Sequence, residues 1–76
     1  MKVVIATVHD NLFVGEAQSL TAPTTDGALT ILPHHEPLVA TLKSGTIRVT
    51  ATAGAEDFRI ESGVLEVSQN QVTVLL

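Results

Sequence analysis

From Thr46 to Ala53 the chain alternates without a break, with Ile47, Val49, Ala51 and Ala53 on one side and Thr46, Arg48, Thr50 and Thr52 on the other. A period of two with one apolar and one polar side predicts an antiparallel strand with a buried face and a wet face. The pattern recurs at Asp57–Glu61, where Phe58 and Ile60 point inward, and no window carries the period of an amphipathic helix. Val3–Val8 is β-branched and nearly all apolar, which predicts a strand buried on both faces or at a sandwich core. Pro33 and Pro37 close a short segment between two apolar runs, Leu29–Leu32 and Leu38–Leu42. Each proline disfavours helix at the residue before it, so this stretch reads as strand, corner, strand. His9-Asp10-Asn11, Pro23–Gly27, Lys43-Ser44-Gly45, Gly54-Ala55-Glu56, Ser62-Gly63 and Ser68–Gln71 supply turn chemistry between the remaining runs. The expected fold is all-β: a small two-sheet antiparallel β-sandwich, or flattened barrel, of about eight to ten short strands with no helices.

With 76 residues, the expectation is one domain over 1–76. A chain this short buries only about 60% of its unfolded surface, so it needs a dense core or outside support. It has no cysteine, so neither disulfides nor thiolate metal sites contribute. Apolar residues make up 45% of the chain and the only aromatics are Phe13 and Phe58, so the core must be aliphatic. A net charge of −4 and the shortage of aromatics argue against nucleic acid and against direct binding to anionic lipid. No apolar run approaches the ~18 residues that span a bilayer, and the first residues lack a signal-peptide pattern. The expected location is therefore cytoplasmic.

Several clusters invite a chemical reading, and each has a plainer one. His34-His35-Glu36 suggests a metal site, but neighbouring side chains in extended chain point apart, and the one other histidine is His9. A polar corner facing a partner accounts for the same residues. His9-Asp10 with Ser62 or Ser44 lacks a nucleophile elbow, and reads as a turn. Glu56-Asp57, Glu61 and Glu66 fall in turns or on polar strand faces, where carboxylates are ordinarily solvated. Pro23–Gly27 lacks the glycines and lysine of a phosphate cradle. The residues thus predict no catalytic group, no cofactor and no metal, and place the function in a surface.

One series of motifs runs through the whole chain. Phe13-Val14-Gly15-Glu16-Ala17 is followed by Gly27-x-Leu29 and Ile31-Leu32-Pro33-x-His35-x-Pro37-Leu38. Leu42-Lys43-x-Gly45, Ile47-Arg48, Phe58, Gly63, Leu65-Glu66-Val67 and Val72–Leu75 complete it. In this order the chain resembles the N-terminal β-sandwich domain of the epsilon subunit of F-type ATP synthases (delta in mitochondria). That family usually reads Gly-Glu-Leu-Gly-Ile-Leu-Pro-Gly-His-Ala-Pro-Leu in the centre. Here Ala28 stands for the glutamate, Thr30 and His34 for glycines and Glu36 for the alanine, while Ser62 replaces a glycine and Gln69 a frequent proline.

The resemblance implies a non-catalytic part of the central stalk, an accessory subunit that helps couple proton or sodium flow to ATP synthesis. It implies two partners, the gamma subunit and the polar loops of the c-ring, with the alpha and beta subunits as further neighbours and the membrane reached only through the complex. By position, Thr7, His35, Leu38 and Ala40 would face gamma, and Thr24, Thr25, Asp26, Ala28 and Leu29 would form the ring-facing loop. The place implied is peripheral, on the cytoplasmic face of the inner membrane. Family members usually continue into two helices that inhibit ATP hydrolysis, so the expectation for this chain is the sandwich without that hairpin. Paired imidazoles at His34 and His35 would make the gamma contact sensitive to pH. An exposed apolar patch on one sandwich face should follow, because gamma must cover something. The alternative reading is a free-standing β-sandwich binding module that uses the His34–Pro37 corner for a metal or small ligand.

Overall fold

Short turns set the strand order, and a computed structural model describing residues 1–76 shows nine strands and no helix. They are β1 Lys2–Ala6, β2 Asn11–Glu16, β3 Ser19–Thr24, β4 Gly27–Ile31, β5 Leu38–Leu42, β6 Gly45–Ala51, β7 Gly54–Ile60, β8 Gly63–Ser68 and β9 Gln71–Leu75. Between β3 and β4 the Thr24 hydroxyl accepts the Asp26 N–H at 3.1 Å and donates to the Gly27 carbonyl at 2.6 Å. Gly27 then takes φ 115°, a conformation open to glycine at little cost. The β8–β9 turn is different: Gln69 and Asn70 both have positive φ, 52° and 59°, as a mirror-image two-residue turn requires.

The two layers are built from one long bent hairpin. β5 and β6 run against β8 and β7 in a register that carries through the bend, with Leu42 opposite Gly63 and Gly45 opposite Ile60. Lys43-Ser44 and Glu61-Ser62 form the bend, and there both legs pass from one layer to the other, as corners of packed sheets do. One layer has the order β2-β1-β9-β8-β5; the other comprises β4, β3, β6 and β7, and β3 joins β5 at Thr24 and Leu42. The bend leaves little room. A Cβ on Gly63 would lie 2.7 Å from the Leu75 carbonyl oxygen, and one on Gly45 would lie 2.9 Å from the Pro23 ring. Pro23 sits within β3 where that strand leaves β6 for β5, a position that does not need its missing N–H. All pairs are antiparallel except β1 with β9, which are parallel neighbours inside the first layer.

The inward side chains of both layers form one cluster of 15 buried residues, almost wholly aliphatic. Val3, Ile5, Leu65, Val72 and Val74 from the first layer meet Leu20, Ile31, Ile47 and Val49 from the second. Each such side chain contributes about 1.5–3 kcal/mol relative to exposure, which is how a chain without disulfides stays folded. At the open side Phe13 of β2 meets Phe58 of β7 edge to face, with ring centroids 6.0 Å apart at 75°. β1 takes the second of its two expected settings, the sandwich core, with Val3 and Ile5 buried and Val4 only half-buried. Two local expectations are corrected. The alternating strand ends at Ala51, so Ala53 is exposed at the hairpin tip, and Gly54 to Glu56 already belong to β7.

Candidate docking interface

Strand register decides which side chains share the outer face of the first layer. One row crosses it as Val14, Val4, Thr73, Glu66 and Val39; the next runs Ala6, Leu75, Val64 and Thr41. Val14 is 55% exposed, Leu75 58% and Val39 69%. Leu12 and Val64 are exposed nearby, Leu12 at the bulge where β1 and β2 slip register. The expected apolar patch is therefore present, assembled from all five strands of the layer. The second layer is the opposite. Thr21, Thr30, Thr46 and Thr50 look outward there with Arg48 and Asp57, and the Thr21 and Thr30 hydroxyls lie 3.1 Å apart. Arg48 and Asp57 pair across strands with two hydrogen bonds of 2.8 and 3.0 Å. That hydrogen bonding holds the Asp57 carboxyl below its ordinary range and raises the Arg48 guanidinium, both groups remaining solvent-exposed.

The residues expected at interfaces fall in both layers: Thr7 and His35 lie at opposite ends of the first with Leu38 and Ala40 on its β5, while Thr24, Ala28 and Leu29 belong to β3 and β4 of the second. Thr7 follows β1 at one end, where its hydroxyl accepts the N–H groups of His9 and Asp10 and its own N–H donates to the Asp10 carbonyl. This is the turn expected of His9-Asp10. Thr25 and Asp26 are exposed at the same end, because the Thr25 N–H reaches the Thr41 carbonyl at 3.0 Å. Thr24 itself is buried, Ala28 is exposed and Leu29 packs partly against the core. His35 lies at the other end, about 15 Å away along β1 at ~3.3 Å per residue. There the Asn70 turn receives both the Lys2 N–H, at its carbonyl, and the His34 N–H, at its side-chain oxygen. Leu38 and Ala40 turn towards the core side of β5, and Val39 between them faces out. Alternation within Leu38–Leu42 carried that distinction, since Leu42 is buried and sets the inward parity.

The corner itself is tight. His34 has φ 64°, at the position where the family's pattern has glycine, and the His35 ring Nδ1 lies 2.8 Å from the Glu36 carbonyl oxygen. No three His, Cys, Asp or Glu side chains converge anywhere. The one groove, of about 250 Å3, lies elsewhere, between Phe13 and the β6–β7 hairpin, lined by Val49, Ala51, Ala53 and Ala55. The His34–Pro37 corner thus offers a ligand neither cavity nor ligand set.

Comparison with known proteins accords with this geometry. The model of the ATP synthase delta/epsilon chain β-sandwich domain matches residues 1–76. The ATP synthase epsilon chain of Chlorobium limicola is 43% identical over 75 residues, covering 97% of this chain and 85% of that protein. Those of Delftia acidovorans and Bordetella petrii are 38% and 37% identical, and the chain spans about half the length of each, 52% and 54%. Among solved structures, a chain in the mitochondrial ATP synthase of Euglena gracilis, an OSCP/F1/c-ring assembly, superposes with a TM-score of 0.88 at 21% identity, over 96% of this chain and 48% of that one. A chain from the central stalk and c-ring of the Tetrahymena thermophila enzyme gives 0.85 at 18% identity. At these identities the superpositions show a shared fold.

Proposed function

Because the chain belongs to the β-sandwich domain family of ATP synthase delta and epsilon chains, we propose that it is a non-catalytic part of the central stalk of an F-type ATP synthase. In this reading it binds the gamma subunit and the c-ring polar loops so that both turn as one body, coupling proton or sodium flow to ATP synthesis. The family match from the first residue to the last carries the reading. The fold suits the task, since torque passes best through a stiff part and a close-packed aliphatic core resists shear. Thr7, His35, Leu38 and Ala40 are assigned to gamma, and Thr24, Thr25, Asp26, Ala28 and Leu29 to the ring. The ring loop lacks the family's carboxylate at Ala28, which leaves Asp26 as the acid of that turn. The chain then works at the cytoplasmic face of the membrane, peripheral, with alpha and beta subunits as further neighbours.

Co-expression with the gamma subunit of the same synthase tests this. The expected result is a complex that survives gel filtration; failure to bind that gamma overturns the proposal.

A further inference from the structure

β7 ends the strand order on its side, so its far edge has no neighbouring strand. Its residues are exposed from Gly54 to Asp57 and again at Arg59. Such an edge offers unpaired backbone N–H and C=O groups, and native edges are kept from pairing by a bulge, a proline or charges that repel. Of the other free edges, β2 begins at a bulge and β4 has no charged residue. β7 has neither bulge nor proline, and its outward side chains carry both signs. Asp57 faces Arg48 and Arg59 faces Thr46, so Arg59 takes part in neither salt bridge of the molecule, Met1–Glu16 or Arg48–Asp57.

We propose that β7 pairs with β7 of a second copy of this chain, antiparallel, about a two-fold axis at Phe58. Keeping the inner faces of both copies inward requires the axis to pass at one residue, and charge selects which. Centred on Glu56, Asp57 or Arg59, the pair sets that residue against its own like charge, which destabilises it. Centres nearer either end run into the hairpin tip or the Glu61-Ser62 bend and leave most of the strand unpaired. Centred on Phe58, each Asp57 lies opposite the partner's Arg59. The outer row then reads Arg48, Asp57, the partner's Arg59 and the partner's Thr46, with signs alternating along its charged members. On the inner side the two Phe58 rings, each half-buried against its own Phe13, meet at the axis. Opposite-charge and aromatic cross-strand pairs both favour this register. The footprint is small: a seven-residue edge is ~23 Å long and about 10 Å deep, roughly 230 Å2 against the ~800 Å2 per partner of a stable interface. The dimer is therefore weak and exchanges with monomer. No residue assigned to gamma or the ring lies on β7, so this pairing stands or falls apart from the stalk reading.

Sedimentation equilibrium of the purified chain, from micromolar to millimolar concentration, tests this. The wild-type chain should show a monomer–dimer equilibrium that added salt weakens. Arg59→Asp sets Asp57 opposite a like charge and should weaken the dimer about tenfold; Asp57→Lys does the same to Arg59, with the same result. Mixed in equal amounts, the two variants regain both opposite-charge pairs, and the mixture should dimerise about tenfold more tightly than either alone. Circular dichroism confirms that the variants fold, both positions being exposed. Should Asp57→Lys fail to fold, wild type and Arg59→Asp decide the matter between them. A wild-type chain that stays monomeric throughout, a dimer that Arg59→Asp leaves intact, or a mixture no tighter than its components overturns the pairing.

Discussion

His34 shows at a single residue how the sequence departs from its family and what the backbone demands. Its φ of 64° lies in the left-handed region, where a side chain with a Cβ costs about 1–3 kcal/mol. Its N–H donates to the Asn70 side-chain oxygen at 2.8 Å, so the corner is fastened to the β8–β9 turn through backbone, not imidazole. His34→Gly relieves strain but adds about 0.5–1 kcal/mol of unfolded-state entropy, so urea melts should find it neutral to within about 0.5 kcal/mol. His34→Val keeps the N–H but sets a β-branched residue at positive φ, and should cost about 1–2 kcal/mol. Asp57 gives a second residue-scale expectation. Its folded carboxyl titrates below the ordinary value of 3.8 because Arg48 hydrogen-bonds the charged form. The pair's contribution is therefore complete above that value, fades as the pH falls through it and vanishes once the folded group protonates. Asp57→Asn should remove this acid-side slope from the pH dependence of stability, by a small amount that salt reduces further, since the pair is exposed.

Elements were legible from the sequence where one alternating pattern met one turn signal. Ile47 and Val49 inward, Thr46 and Arg48 outward, and the corner between Pro33 and Pro37 all follow from local chemistry. The bend that turns β5–β6 and β7–β8 into a two-layer hairpin was not legible, because it depends on Gly45 meeting Pro23 and Gly63 meeting Leu75, contacts between residues far apart in sequence. The docking face was foreseen in kind but not in place. Val4, Val14, Val39, Val64 and Leu75 come from five strands, and only the register shows that they share a side. The assignment of Leu38 and Ala40 to gamma followed family position, whereas the parity of β5 turns Val39 outward. The Phe13–Phe58 contact also belongs to this scale, since it ties the free edge of one layer to that of the other. Phe58→Leu keeps most of the burial and should cost about 0.5–1.5 kcal/mol, the worth of an edge-to-face pair. Phe58→Ala should cost roughly 2–3 kcal/mol, less than a fully buried ring, and thermal melts of both variants distinguish the pair from its area.

At the scale of the whole molecule the two outer faces differ, one wet with threonines and the Arg48–Asp57 pair, the other carrying the exposed aliphatics Val14, Val39, Val64 and Leu75. That asymmetry separates what folds the chain from what a partner needs. Side chains of the inward cluster, such as Leu65, are fully buried, while Val39, Val64 and Leu75 lie outside that cluster on exposed positions. Leu65→Ala should therefore cost about 2–5 kcal/mol, which in a domain this small removes much of its stability. Val39→Thr, Val64→Thr and Leu75→Thr should each change stability by less than about 0.5 kcal/mol in the free chain. A partner that covers the apolar face reverses the second expectation. A ligand that binds only the folded state at about a hundred times its Kd adds about 2.7 kcal/mol of stability. With gamma present, the wild-type chain should melt higher by that margin and the three threonine variants by less, although they match it alone. Equal stabilisation of wild type and all three variants would mean that gamma grips the domain elsewhere, and that the exposed aliphatics of this face serve neither folding nor docking.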